Sequence, residues 1–305
     1  RELAADRTIN VAQTPDALGF FKNYFITGDY AVGGVGLHDL GVNGIATGSI
    51  PIQGVPAESD VLAAFLYWQV VGKGDLGPEQ GSIGVTFKGY PLSATGAEPF
   101  GKVLGAGTPP CWSSGGGTGS SGGAHQTYTY RADVLRYFDI DPVTGKFQVN
   151  GSHQVQLPDG GGPIALGASL VVIYRDPSLP QRAIVLYDGG YTMDQTSEGM
   201  VQRIAGFYDG GDSAKLTHIV GSGQANKSEI LRFNGTPIAT NPFRAVQGPN
   251  WDNPTYLLTP TAFPGLENLA QVTTSVDHQG FNTFDCLTWA AIIYRTDVKD
   301  RDGDG

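Results

Sequence analysis

The chain has 305 residues, including 45 glycines and 19 prolines, and only 16% of its residues are charged. So much glycine argues against a helical protein, because each glycine in a helix interior costs about 1 kcal/mol. It suits short strands joined by tight turns. The formal net charge is −10, and no basic stripe offers binding to a nucleic-acid backbone. No run of 18 apolar residues is present, so we expect no membrane-spanning helix.

Residues 1–28 are weakly patterned, and we predict an N-terminal arm there. Within it, residues 1–23 are a candidate for strand donation, in which an extended segment adds to the sheet of a neighbouring copy. From Asp29 onward, short apolar runs alternate with Gly, Pro and Asn. This pattern indicates that the folded part begins near residue 29.

The run Val61–Val70 (VLAAFLYWQV) is almost continuously apolar, which predicts a strand buried on both faces, with a short helix as the alternative. Ile83, Val85 and Phe87 alternate with polar residues, as in a half-buried strand. Enrichment in β-branched and aromatic residues predicts five further strands. These are Thr127–Arg131, Ser169–Tyr174, Ala183–Tyr187, Gln271–Val276 and Trp289–Tyr294.

Two segments are the best helix candidates, Ala132–Phe138 and Glu198–Gly206. Strands and helices do not alternate regularly along the chain, which argues against a parallel βαβ architecture and favours antiparallel sandwiches. The low-complexity run Ser113–Gly123 formally contains two glycine motifs of nucleotide sites and serine hydrolases. It lacks the strand and helix that such motifs need, so it predicts a surface loop.

A weak internal repeat indicates two related units. Val85–Leu92 (VTFKGYPL) matches Leu231–Ile238 (LRFNGTPI), and each reads as a strand ending in a turn that uses a positive φ at glycine. Ser169–Arg175 and Trp289–Arg295 are both apolar and both end in Ile-Tyr-Arg. The predicted fold is therefore all-β, with two tandem related antiparallel β-sandwich (jelly-roll-like) units.

We place the first unit at residues 29–190 and the second at residues 191–298. The closing apolar strand of each unit is expected at the centre of a sheet.

Residues 299–305 have the pattern of a calcium-binding spacer. Asp300, Asp302 and Asp304 alternate and are followed by Gly305, which matches the first half of a calcium loop. The closing ligand of such a loop is missing, so we expect weak calcium binding and a polypeptide that continues. An acidic, solvated tail is the alternative.

Cys111 and Cys286 are the two cysteines of the chain. A disulfide between them would close a long loop, worth about 5 kcal/mol in the chain-entropy model. Such a single bridge is typical of a secreted protein, whereas two unrelated buried thiols are the alternative.

Candidate catalytic and binding residues are sparse. The five histidines lack zinc-site spacing, although His38 with Asp39, or Asp277 with His278, are possible metal or acid–base pairs. Glycoside hydrolysis needs two nearby carboxylates, and an aromatic side chain can stack on a sugar or lie in the core. The candidates for these two roles are the carboxylates Asp188, Asp194, Asp209, Asp212 and Asp252 and the tryptophans Trp112 and Trp251. Turn positions are the alternative for Asp188–Gly190 and Asp209–Gly211.

The order of these elements resembles a known but uncharacterised family. The resemblance rests on Gly33–Gly36, Tyr67-Trp68, Val85–Gly89 and Tyr130–Val134, followed by four later segments, Ser169–Tyr174, Ile184–Gly189, Leu231–Gly235 and Trp289–Tyr294. The family is a secreted β-sandwich domain of unknown function in bacterial and archaeal surface proteins, and the resemblance covers about residues 28–298. It implies an extracellular structural role and transfers no active-site residue.

The sequence therefore predicts a non-enzymatic structural or adhesive module of a larger extracellular or cell-surface protein. A subunit of a fibre or filament is one form that this role could take. Its expected partners are other copies of itself, cell-surface components or a glycan, and calcium is a possible cofactor. A carbohydrate-binding module or glycan-degrading enzyme is the alternative.

Overall fold

A computed structural model describes most of the chain, and within it strands predominate. The described residues are 11–72, 77–92, 101–107, 126–193, 199–207, 210–259, 263, 269–278 and 287–298. Two 3₁₀ turns, Gln80–Ser82 and Leu135–Tyr137, are the helical segments of this part, and none of its helices is long and apolar enough to cross a membrane.

The strands of the described part all pair antiparallel, which confirms the all-β prediction. In chain order they are β1 (Gly19–Gly36), β2 (Ile45–Ile52), β3 (Asp60–Gly72), β4 (Thr86–Phe87), β5 (Tyr90–Pro91), β6 (Gly101–Gly107), β7 (Gln126–Asp133), β8 (Gly151–Pro158), β9 (Ile164–Arg175), β10 (Gln181–Thr192), β11 (Gly199–Ile204), β12 (Gly210–Gly221), β13 (Glu229–Phe233), β14 (Thr236–Thr240), β15 (Trp251–Asp252), β16 (Thr255–Leu258), β17 (Val272–His278) and β18 (Thr288–Val298).

The largest sheet has ten strands in the order β15-β12-β18-β10-β1-β9-β3-β7-β6, with β16 also on β12. Strand β1 joins its two parts, because Gly19–Thr27 pair with β10 whereas Gly28–Gly36 pair with β9. We call these parts the β10 half and the β9 half. The predicted arm is therefore wrong from Gly19 onward, since residues 19–28 lie in the sheet and already have a strand partner.

Two four-stranded sheets cover the outer faces of the two halves. The sheet β2-β8-β4-β5 shares a buried apolar cluster with the β9 half, and β11-β17-β13-β14 shares one with the β10 half. Each half thus forms a sandwich with its outer sheet. In both sandwiches the strand order is that of a jelly roll. The first has β1-β9-β3-β7 over β2-β8-β4-β5, and the second has β10-β18-β12-β16 over β11-β17-β13-β14.

The inner faces of the two halves pack against each other, which makes four layers. In β3, Leu66 and Trp68 lie in the cluster under the outer sheet, whereas Phe65 and Tyr67 lie in a cluster shared with β10, β12 and β18. Because side chains alternate between the faces of a strand, both faces of β3 are apolar. This confirms the strand predicted for Val61–Val70 and its burial on both sides.

The repeated FxG segments form equivalent hairpins. Lys88–Gly89 (φ 50° and 81°) join β4 to β5, and Asn234–Gly235 (φ 48° and 79°) join β13 to β14. Two central residues with positive φ define the type I′ turn that suits two-residue hairpins. Phe87 and Phe233, which precede the turns, are both fully buried. The predicted turn with a positive-φ glycine is confirmed in both segments.

Three local predictions are wrong. Glu198–Gly206 contains strand β11, whose backbone is bonded to β17, rather than a helix. Ala132–Phe138 is divided between the end of β7 and one 3₁₀ turn. Ile83 is 63% exposed and lies outside any strand, and β4 covers only Thr86–Phe87.

The predicted boundary at residue 190 falls inside β10, which is bonded to β1 on one side and to β18 on the other. The strands from β10 onward form the second sandwich, and the turn before Gln181 separates them from β9. The description of the two sandwiches as tandem related units stays a prediction.

A substitution at Gly190 can test the close approach of β10 to β6. Asp188–Gly190 is not the predicted turn but an irregularity within β10, and a Cβ on Gly190 would lie 2.7 Å from the carbonyl carbon of Gly105. We expect Gly190→Ala to lower the free energy of unfolding in urea by about 1–3 kcal/mol, because the backbones must separate. Gly19→Ala is the control, since its nearest neighbour is 3.8 Å away. Equal stability of the two variants would contradict the close contact.

Candidate functional site

Polar side chains cross the apolar interface between the β9 half and the β10 half, and we call this set of contacts the seam. The crossing pairs are Tyr30–Thr217, Tyr67–Asp188, Arg131–Asp188, Gln69–Thr288, Trp251–Ser169 and Ser169–Asn253, together with Asp29 and its three cations.

Asp29 lies just after the point where β1 changes partner from β10 to β9. Its Oδ2 is 3.1 Å from Arg182 Nη1 and 3.9 Å from Arg295 Nη1, and its Oδ1 is 2.5 Å from Lys215 Nζ. The Lys215 ammonium also donates to the Tyr30 carbonyl at 2.8 Å and lies 3.9 Å from the Tyr30 ring centroid. Burial lowers the pKa of Lys215, and the Asp29 charge opposes that shift.

Asp297 supplies the second carboxylate of this cluster. Arg182 Nε donates to its Oδ1 at 2.8 Å, and Ser213 Oγ donates to its Oδ2 at 2.9 Å. Arg295 lies 3.5 Å from the same carboxylate and is only 4% exposed. Each carboxylate therefore lies within 4 Å of at least two cationic side chains. These ion pairs connect β1, β10, β12 and β18.

Asp188 forms a second charged crossing. Tyr67 donates its hydroxyl to Asp188 Oδ2 at 3.1 Å, and the Arg131 guanidinium pairs with the same oxygen. The guanidinium carbon also lies 3.3 Å from the Phe21 ring centroid, as in a cation–π contact. Burial raises the pKa of Tyr67 well above its usual range. A carboxylate predicted as catalytic is thus bound in an interface between strands.

Trp251 is buried in the seam, which supports the core alternative for this residue. Its side chain is 0% exposed, and its indole N–H donates to Ser169 Oγ at 2.8 Å. Ser169 in turn donates to Asn253 Oδ1 at 2.8 Å. A Cβ on Gly167 would lie 2.6 Å from the indole ring, so the ring has no free face for a sugar. Trp112 lies outside the described residues.

Asp252, the other described candidate carboxylate, holds a loop together. It accepts the backbone N–H groups of Arg244, Ala245 and Val246 at 3.1, 2.9 and 2.8 Å. Burial raises its pKa, while these hydrogen bonds lower it. Of the remaining candidates, Asp194 and Asp209 lie outside the described residues, as does the side chain of Asp212.

The two predicted histidine–carboxylate pairs have different outcomes. His38 Nδ1 lies 3.1 Å from Asp39 Oδ2, but Asp39 is 83% exposed. Asp277 is bound by Arg232, with Nε 2.5 Å from Oδ2, and the His278 side chain lies outside the described residues. Nowhere in the described ranges do three or more His, Cys, Asp or Glu side chains form a group that could hold a metal ion.

The predicted disulfide and calcium ligands fall in parts of the chain that the structure does not describe. Cys111 and Cys286 lie outside the described residues, and so do Asp300, Asp302 and Asp304. Both sites stay predictions.

Sequence reasoning missed most of the seam. One signal was available, because both apolar strands that end in Ile-Tyr-Arg place the arginine on an aspartate. Arg295 is paired with Asp29 and Asp297, and Arg175 donates to Asp60 Oδ2 at 2.6 Å. In both cases the arginine pairs with an aspartate that also contacts a second cation, but the position of this partner depends on the fold.

His218 links the two sheets of the second sandwich. The Trp289 indole donates to His218 Nδ1 at 3.0 Å, so the proton lies on Nε2, which donates to Thr274 Oγ1 at 3.1 Å. Thr274 donates onward to the Arg232 carbonyl at 3.2 Å. Burial lowers the pKa of His218 to about 3. The imidazole is therefore neutral. Its two hydrogen bonds connect β12 to β18 and β17, and Thr274 extends the connection to β13.

No protein-family model and no curated protein matches the chain. Among solved structures, it is similar to the major capsid protein P2 of bacteriophage PM2, with a TM-score of 0.20 and 10% identity over 90% of this chain and 100% of that chain. It is also similar to a chain of the Sputnik virophage, with a TM-score of 0.18 and 11% identity over 97% of this chain and 88% of that chain. At such scores neither likeness bears on fold or function.

His218→Gln tests the neutral buried imidazole through the pH dependence of stability. The pKa is about 3 in the folded chain and 6.5 as the ordinary value, so the unfolded chain binds an extra proton between these values. In the wild type this contribution to stability is complete above pH 6.5 and is lost as the pH falls toward 3, by at most about 1.4 kcal/mol per pH unit. Urea unfolding from pH 4 to 8 should show a shallower dependence for the variant. Parallel curves would refute a neutral buried imidazole.

Asp188→Asn tests the charged crossing at the seam. It leaves Arg131, which is 12% exposed, without its carboxylate, and we expect the free energy of unfolding to fall by about 3 kcal/mol. Asp139→Asn is the matched control, because the Lys88–Asp139 pair lies at the surface and should matter little. Thermal and urea unfolding measure both variants. A loss no larger than that of the control would show that the crossing contributes nothing.

Proposed function

We propose that this chain is a non-enzymatic structural or adhesive module of a larger extracellular protein, built from two related β-sandwich units. The relatedness is supported by the strand orders, since β1, β9, β3 and β7 occupy the places that β10, β18, β12 and β16 occupy in the other sandwich. The outer sheets correspond in the same way, and their type I′ hairpins take equivalent edge positions.

The main support for the proposal is that β1 and β18 pair with β10 on its two sides. Gly19 lies opposite Asp188, near one end of β10, while Asp297 lies opposite Arg182, at the other end. The chain therefore enters this three-stranded group at one end and leaves it at the other. A force applied along the polypeptide pulls β1 and β18 in opposite directions, parallel to the strands.

This geometry resists force because of the direction of the interstrand bonds. Antiparallel hydrogen bonds are perpendicular to the strands, so sliding β1 or β18 along β10 must strain all the bonds of a ladder together. Peeling from one end would break them one at a time. The Asp29 and Asp297 clusters add cross-links at the same place, because Arg182 of β10 contacts both carboxylates. A module with this property suits a protein that holds surfaces or filaments together.

The other parts of the proposal rest on the sequence. These are the extracellular location, the calcium spacer at Asp300, Asp302 and Asp304, and use in a fibre or filament. Of the two tryptophans predicted for sugar stacking, Trp251 is buried and Trp112 lies outside the described residues. We therefore propose the structural role alone.

Single-molecule pulling in two geometries tests this role. With handles at the two chain ends, β1 and β18 are loaded along β10. With one handle at the C-terminal end and the other at Ser178, in the exposed turn before β10, β18 is instead peeled from its Asp297 end. We expect a rupture force several-fold higher in the first geometry than in the second, which serves as the matched control. Similar forces in both geometries would overturn the proposal.

A further inference from the structure

Residues 11–18, which precede β1, lie along the outer edge of β11, and we call them the strap. Strand β11 has β17 as its strand partner on one side. On the other side, Ala17 N–H donates to the Val201 carbonyl at 2.9 Å, and Arg203 N–H donates to Asp16 Oδ1 at 2.8 Å. The strap therefore bonds the Val201 carbonyl and the Arg203 N–H, two backbone groups of β11.

Arg203 holds the strap from the β11 side. Its Nη1 donates to Asp16 Oδ1 at 2.9 Å and to the Thr14 carbonyl at 3.2 Å. Its Nη2 donates to the same Thr14 carbonyl at 3.1 Å and to the Val11 carbonyl. One guanidinium thus binds three residues of the strap, in the forked geometry that makes arginine a good backbone and carboxylate clamp.

Leu18 anchors the strap in the core. Its side chain is 6% exposed and belongs to the buried cluster of the second sandwich, which includes Met200 and Val276. Its backbone N–H donates to the buried amide oxygen of Gln202 at 2.8 Å. The strap is therefore a short segment of turns and bends with one apolar anchor, held in place by the Arg203 guanidinium.

The other edges of the two outer sheets are closed in a different way. Strands β2, β5 and β14 carry Pro51, Pro91 and Pro237, and proline on an edge strand removes a donor and discourages pairing with another chain. Strand β11 (GMVQRI) has no proline. Among these four edges, β11 is the one suited to accept a segment, and the strap covers it.

We propose that the outer edge of β11 is a docking site for residues 11–18 of a second copy of this chain, which replace the chain's own strap. All the contacts described above are made by eight consecutive residues, so a strap from another copy can make the same ones. A register irregularity between Phe20 and Lys22 follows the first two residues of β1, so an exchanging strap needs to open only the Gly19 and Phe20 pairs with β10 to reach it. Exchange of an identical element is a low-cost route to a dimer.

This inference deepens the assembly part of the proposed function and rests on it. The two fail separately, because the pulling experiment measures strands β1, β10 and β18 within one chain. A chain that never exchanges its strap can still resist force.

Two complementary full-length variants test the exchange. Leu18→Asp removes the anchor of the strap but leaves the β11 edge intact, whereas Arg203→Ala weakens the edge but leaves the strap intact. We expect each variant alone to be monomeric by light scattering after gel filtration. An equimolar mixture should form a heterodimer, in which the intact strap of the Arg203→Ala chain docks on the intact edge of the Leu18→Asp chain. A mixture that stays monomeric overturns the proposal.

A synthetic peptide of residues 11–18 provides the second measurement. We expect it to bind the Leu18→Asp chain and raise its melting temperature, and to bind the wild type at least about tenfold more weakly, because the wild-type strap competes from within the same chain. The same peptide with Leu18→Asp is the matched control and should not bind. If the Leu18→Asp chain is unfolded, Asp16→Ala, which changes a more exposed strap residue, replaces it in both measurements. Failure of the wild-type peptide to bind also overturns the proposal.

Discussion

Strand β1 changes its hydrogen-bonding partner between Thr27 and Gly28, and the architecture follows from this switch. The first half of the strand completes a sheet with β10, and the second half completes another with β9. Since one continuous strand belongs to both, the two halves of the large sheet cannot separate without breaking it. Their apolar inner faces become a third core between two sandwiches, and β3, β9, β10 and β18 must be apolar on both faces.

The polar pairs of the seam favour one relative position of the two apolar inner faces. Apolar contact is non-directional, so two such faces could pack in several relative positions. The carboxylates of Asp29 and Asp188 have partners on the opposite half, and a buried charge that loses its partner costs several kcal/mol. We infer that these pairs fix the position of the halves, whereas the surrounding apolar side chains supply the stability. Glycines such as Gly105 and Gly190 let the backbones approach closely enough for the pairs to form.

Strand β1 and the segment before it also affect two other features, the protection of a sheet edge and the direction in which the chain bears force. The segment before β1 closes the β11 edge, which lacks the prolines of the other outer edges. The start of β1 and the end of β18 lie at opposite ends of β10, which places the central ladders in line with the polypeptide. The covering of the β11 edge and the direction in which force loads the β10 ladders thus both depend on where β1 begins and on its pairing with β10.

The sequence by itself determined the local and compositional features. Glycine content and apolar runs indicated the all-β class, Val61–Val70 was recognisable as a strand buried on both sides, and the two FxG segments predicted turns with a positive φ at glycine. Tertiary structure alone decided the rest. Gly199–Ile204 forms a strand because its backbone pairs with β17, Trp251 lies in the core, and Asp29 contacts Lys215 across a large sequence separation. Such contacts depend on which strands become neighbours, and periodicity within a segment carries no information about its neighbours.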